Sequence, residues 1–182
     1  KSVPDFKKLQ MQYAAFSFGV PFDASFNADE RNASMNILYL YQGGLTLGQK
    51  EYYLDTDKAT VDIREAYKKH LIKMFQLFGF NAAKAKAKGE AVLRFETALA
   101  KFSKSSTELR DVEANYNKMT LAQFKAKYPN LPVEALLNAE GIKSAYFQTL
   151  VVGQPAFFAG LNKLVTTWNL AARKAYMQWS II

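Results

Sequence analysis

The 182-residue chain is 49% hydrophobic and 14% aromatic, with a formal net charge of +8, so a single domain of this size can bury roughly 70% of the surface its unfolded chain would expose. It has no cysteine and one histidine, His70, which excludes a disulfide framework, thiolate metal sites and a two-histidine zinc site, while leaving the cellular compartment open. No apolar stretch approaches the roughly 20 residues that cross a bilayer, and the opening KSVPDFKKLQ lacks the apolar core of a signal peptide, so the chain as it stands reads as soluble.

Phe6, Leu9, Tyr13 and Phe16 recur at helical spacing behind Pro4 and Asp5 and predict a short amphipathic helix. From Val20 the period changes to two. Phe22, Ala24 and Phe26 alternate with Asp23, Ser25 and Asn27, the polar run NADERNAS supplies a turn, and MNILYLYQ follows as a second strand that is apolar on both faces. The segment GGLTLGQKEYYLD, Gly43 to Asp55, then combines three glycines with two adjacent tyrosines. A solvated connection would be polar; this one reads as packed.

Asp57 is placed to cap a helix carrying Ile63, Tyr67, Leu71, Met74 and Phe78 on one stripe, with Gly79 ending it. Asn81 caps a second, running through Ala85, Val92, Phe95, Leu99 and Phe102 and antiparallel to the first because the connection is short. Its internal Gly89 either admits a neighbouring backbone or is a tolerated cost of about 1 kcal/mol. SKSSTELRDVEANYNKMT is polar and turn-rich; Thr120 caps LAQFKAKY, which Pro129 stops, and another helix spans Pro132 to Asn138. YFQTLVV predicts a lone short strand, and AFFAGLNKLVTT and WNLAARKAYMQWSII predict two closing helical segments. The fold class is mainly α: a helical lobe with a small β-hairpin and one short additional strand, in a single domain over residues 1–182.

Candidates for chemistry are few. His70 lies beside the apolar stripe of the first long helix and reads as a structural residue. Asp29 with Glu30, and Asp55 with Asp57, read as turn and capping residues. Glu96 sits near the apolar face of the second long helix, where a carboxylate needs a cationic or hydrogen-bonding partner; Arg110 is the candidate, in a structural ion pair. GGLTLG lacks the spacing of a phosphate-binding loop, and Asn32-Ala33-Ser34 is a formal glycosylation acceptor too short to carry weight. The lysines are dispersed, Lys84, Lys86 and Lys88 fanning over a wide arc, which predicts a solvated helix face and no specific nucleic-acid site.

Two segments carry a resemblance. GGLTLGQKEYYLD is similar to the GLGLPxRDYY segment of the neprilysin-like zinc metallopeptidases, and RFETALAKFSKSSTELRDVEANYNKMTLAQF resembles that family's helical LExxLA, then RD, then YNKMTLAEL, in the same order and separation. The matching positions are Gly43, Gly44, Leu45, Tyr52 and Tyr53 in the first segment and Glu96, Arg110, Asp111, Tyr116, Asn117, Lys118 and Met119 in the second. Gly48 stands where the family usually has proline, Lys50 and Glu51 replace its Arg-Asp pair, and Val112 stands where proline is common.

The resemblance implies a two-lobed shell in which an HExxH zinc lobe faces a mainly helical N-terminal lobe across an enclosed chamber. This chain would be a fragment of that helical lobe. It would confine peptide substrates without catalysing: its catalytic and metal residues are none, zinc belongs to the parent enzyme, and the principal partner is the absent catalytic lobe. Export to the periplasm or cell envelope is the expectation for a bacterial parent. The glycine loop would be architectural, its glycines permitting a tight exit and Tyr52 and Tyr53 anchoring it on the helical core. Leu164, Trp168, Ala171, Ala175, Trp179 and Ile182 form an apolar face at the end of the chain, which predicts fraying or self-association there, against the alternative that both indoles pack internally. The competing function, of another class, is a free-standing basic helical module that binds an acidic partner.

Overall fold

The computed structural model describes residues 20–182, and the helix expected over Phe6 to Phe16 lies outside them. The described residues contain seven α-helices and one four-stranded sheet, so the chain is mainly α with a few strands. Strands β1 (Phe22–Asp29) and β2 (Asn32–Gln42) form the hairpin. Its turn is tighter than the polar run suggests: only Glu30 and Arg31 lie outside the strands, and the register shifts between Ala28 and Asp29.

The sheet is larger than expected. Asn117–Thr120 is a strand, β3, inside the segment read as turn-rich, and Thr149–Val152, β4, is not a lone strand. The order is β1-β2-β4-β3, with β4 parallel to β2 and antiparallel to β3. A four-residue strand such as β3 carries too little pattern to stand out alone and is defined by its partner β4, which the sequence does announce but which pairs on both sides. On one face Leu38, Leu40, Leu150 and Val152 join the helical core. On the other, Ile37, Tyr39 and Val151 form a small cluster closed by Tyr116.

Helix α1 (Glu51–Leu54) is a single turn inside the glycine-tyrosine segment. Helices α2 (Lys58–Leu77) and α3 (Ala82–Ala100) form the long antiparallel pair, capped by the Asp57 and Asn81 side chains. Gly79 ends α2 at φ +95, where Gly79 N–H donates to Gln76 and Phe80 N–H to the Phe75 carbonyl, the paired bonds that close a helix through a left-handed glycine. The buried stripe of α2 is Tyr67, Leu71 and Phe75; Ile63 and Phe78 at its ends are exposed. Gly89 admits its neighbour: a Cβ there would stand 3.0 Å from Ile72 Cγ1 and 3.2 Å from the Ile72 nitrogen, so α2 and α3 touch backbone to backbone.

Four helices complete the domain: α4 (Leu121–Lys127), α5 (Val133–Ala139), α6 (Pro155–Thr167) and α7 (Leu170–Trp179). Thr120 and Gln123 cap α4 reciprocally. Trp168 and Asn169 separate α6 from α7, so the terminal apolar residues do not share one helix face. Both indoles pack against this domain's own core, Trp168 on Phe95 with ring centroids 4.5 Å apart and Trp179 among Tyr67, His70 and Phe75.

Candidate functional site

The glycine-tyrosine segment is built around Glu96. The Glu96 side chain is fully enclosed, and its acceptors take three hydroxyl protons: Thr46 donates to Oε1 at 2.7 Å, and Tyr53 and Tyr67 donate to Oε2 at 2.8 Å each. These donors come from the loop, from α1 and from α2, so one carboxyl ties three consecutive elements to α3. Trp179 Nε1 donates to Thr46 Oγ1 at 3.0 Å and extends the chain of bonds to α7. Tyr53 Oη also accepts from Leu47 N–H, and Tyr176 Oη donates to the Gly44 carbonyl.

Glycine is required at the crowded end of this loop. Gly44 has φ +77, and a Cβ there would lie 2.6 Å from Tyr176 Oη and 2.8 Å from Pro21 Cα. Gly48 has φ +80 in open space, a conformation closed to the proline of the family pattern, so the turn here is made differently. Tyr53 is the buried anchor; Tyr52 and Leu45 are half-buried at the edge of the core. Gly43 approaches the Asp23 carboxylate.

Arg110 does not partner Glu96. It lies exposed on the 3-10 turn Glu108–Arg110, while three hydroxyls satisfy the carboxyl. Hydroxyls stabilise the carboxylate without bringing a positive charge into a dry core. Burial therefore dominates and pushes the Glu96 carboxyl above its ordinary range, against the pull of the Thr46, Tyr53 and Tyr67 hydrogen bonds. Burial beside Glu96 likewise raises the Tyr53 and Tyr67 phenols.

The second segment gathers around another carboxylate. Asp29, read as a turn residue, is 2% exposed and accepts from Lys118 Nζ at 2.6 Å, Tyr116 Oη at 2.6 Å and Arg31 N–H at 3.0 Å. The bonds from Lys118 and Tyr116 hold its carboxyl down to about 2. The Arg31 guanidinium sits 4.4 Å above the Tyr116 ring. Asn117 and Met119 alternate with these residues along β3, Met119 turned to the helical core and Asn117 donating to the Ala114 carbonyl. Asp111 accepts from Ala114 N–H and turns the chain toward β3. Buried Gln154 joins the end of β2 to the second segment: its Oε1 accepts from Gln42 N–H at 2.7 Å and its Nε2 donates to Asn115 Oδ1 at 3.1 Å.

Neither centre has the parts of a reaction site. Glu96 has no opening to solvent, and Asp29 is buried beneath three donors. Among the described residues no three His, Cys, Asp or Glu side chains stand close enough to hold a metal ion, so these residues do not fit zinc. His70 is exposed on α2, edge-on to Trp179. A cleft of about 200 Å³ lies between β1 and α5, lined by Phe22, Phe26, Leu38 and Leu136 with Asp23 and Glu140. No helix among the described residues is long and apolar enough to cross a membrane.

Sequence reasoning did not foresee Asp29, Thr46, Tyr67 or Gln154 as organising polar residues. Tyr67 was within reach: a phenol on the buried stripe of one helix needs an acceptor, and Glu96 on the facing helix needs a donor.

Comparison with known proteins supplies the lineage. The chain is 32% identical over 171 residues to Neprilysin-2 of Drosophila melanogaster, covering 92% of this chain and 22% of that protein. It is 33% identical over 132 residues to Endothelin-converting enzyme-like 1 of Rattus norvegicus, covering 71% of this chain and 17% of that one. Its backbone superposes on the zinc metalloprotease Zmp1 of Mycobacterium tuberculosis in its open state with a TM-score of 0.89 at 21% identity, over 96% of this chain and 27% of that one. It thus spans about a fifth of the length of the relatives it matches. Residues 1–182 match throughout the N-terminal sequence model described as Peptidase family M13, and the chain belongs to that metallopeptidase family.

Proposed function

We propose that this chain is the non-catalytic, substrate-confining lobe of a zinc-dependent endopeptidase that acts on peptides, and that its twelve motif residues from Gly43 to Met119 are architectural. The observation that carries the proposal is coverage: the family's N-terminal model takes up the whole chain, yet the chain accounts for 22% of Drosophila Neprilysin-2. The chemistry of these residues supports it. Both motif segments close on buried, hydrogen-bonded carboxylates that hold helices and strands in place, and neither presents a nucleophile, a base or a set of metal ligands.

On this reading zinc and the HExxH segment belong to a catalytic lobe outside these residues, that lobe is the principal partner, and the protein is exported. Self-association through α7 is confined to high concentration, because Trp168 and Trp179 are already engaged within the domain. Binding to nucleic acid is weak and disappears as salt competes for phosphates.

Elemental analysis of the purified chain, with a fluorogenic-peptide assay, tests the proposal. The expected result is no stoichiometric zinc and no hydrolysis from the chain alone. Tightly held zinc with chelator-sensitive cleavage overturns it.

A further inference from the structure

The lysines that look dispersed in sequence are gathered by the fold. Between Ala66 and Gly89 there are six lysines and no aspartate or glutamate, in a chain whose whole surplus is +8. The turn between α2 and α3 folds this stretch back on itself, so at 1.5 Å per residue its lysines lie within about 17 Å of one hairpin end. Lys88 stands over the Phe80 ring at 4.5 Å, and burial together with Lys174 and Lys84 lowers its affinity for a proton.

The hairpin end is also apolar at its tip. Leu77 is 72% exposed and Phe78 is 56% exposed, side by side where the chain turns, with Phe78 stacked on Phe80 at a 27° interplanar angle. Two large apolar side chains exposed at the turn, with exposed lysines on both flanking helices, match a surface with apolar depth and negative headgroups. A nucleic acid would engage the charge but not Leu77, which has no stacking face.

We infer that the turn between α2 and α3 is a docking surface for anionic lipid: Leu77 and Phe78 enter the headgroup boundary while Lys73, Lys84 and Lys86 meet lipid phosphates and carboxylates. The long lysine stems allow this, since they can lie along the apolar boundary while keeping their ammonium groups at the polar level. This surface is separate from the Glu96 and Asp29 centres and goes beyond the confining-lobe proposal.

The test is flotation of the chain with phosphatidylcholine vesicles containing about 30 mol% phosphatidylserine, beside vesicles of phosphatidylcholine alone, at physiological salt. The chain is expected to float with the anionic vesicles and stay behind with the neutral ones. Leu77→Ser with Phe78→Ser, and separately Lys84→Glu with Lys86→Glu, should each weaken binding at least about tenfold with unchanged far-ultraviolet dichroism, the altered side chains being exposed. Two outcomes overturn the inference. One is anionic-vesicle binding that the apolar pair does not affect; the other is no vesicle binding, whether or not single-stranded DNA or polyglutamate binds at the same salt.

Discussion

Glu96 and Asp29 are both carboxylates removed from water, each holding together elements distant in sequence, and their surroundings drive them in opposite directions. Asp29 lies at the sheet edge with an ammonium group against it, so its ionised form is favoured and its carboxyl is held at about 2. Glu96 lies between helices with three neutral hydroxyls, and burial raises it. The same functional group is thus an ion in one half of the domain and a group resisting ionisation in the other. The number of hydrogen bonds is three in each case and does not set the sign: burial is the largest influence on Glu96, whereas at Asp29 the hydrogen bonds from Lys118 and Tyr116 outweigh it.

The largest effect is expected from breaking the helical centre outright. Glu96→Ala leaves the Tyr53 and Tyr67 hydroxyls without their acceptor in a closed core, frees the exposed Thr46 from α3, and should cost about 4 kcal/mol in urea unfolding. Gly44→Ala should follow at about 3 kcal/mol, because the added carbon meets Tyr176 and Pro21 while the backbone stays left-handed. Gly48→Ala shares the backbone strain without the collision and should cost about 1 kcal/mol. Equal losses at Gly44 and Gly48 would show that packing around Tyr176 is not what fixes the loop.

The finest test is pH. Because the folded Glu96 carboxyl is raised, its contribution is fully present below its ordinary value of 4.5 and is lost as pH rises through the folded value. Asp29 behaves in reverse: its contribution is present above 3.8 and is lost as pH falls toward about 2. Thermal unfolding across pH should therefore show Glu96→Gln flattening the weakly acidic side alone, and Asp29→Asn flattening the strongly acidic side alone. A single variant that flattens both sides would dissolve the contrast.

Long periodic elements were legible before any coordinates. Asp57, Asn81 and Thr120 cap the helices their positions announce, and Gly79 closes α2, because capping is decided within a few residues. The helical centre was half legible: Glu96 stood out as a carboxylate on an apolar face, but its donors lie 29, 43 and 50 residues away and the cation expected beside it, Arg110, was the wrong partner. At the sheet edge the parts were legible, Tyr116 and Lys118 as motif positions and Asp29 as a turn residue, but not their association. Asp29 sits in a polar run where burial is invisible, and Lys118, 89 residues on, lies in a strand that exists only because β4 is beside it. Local rules reach as far as a helix turn; charge pairing across a sheet is settled by topology.

The parallel pairing of β2 with β4 also orders events in time. Leu38 and Leu40 find their neighbours Leu150 and Val152 only after about 110 further residues have been made, which at ribosomal speed is roughly 5 to 20 s. Through that interval the hairpin carries an open inner edge whose leucines are later fully buried. An unpaired apolar edge is a template for pairing with another chain. The interval before residue 152 emerges is therefore the domain's period of greatest exposure to misassembly, and a pause in synthesis between residues 42 and 149 would lengthen it.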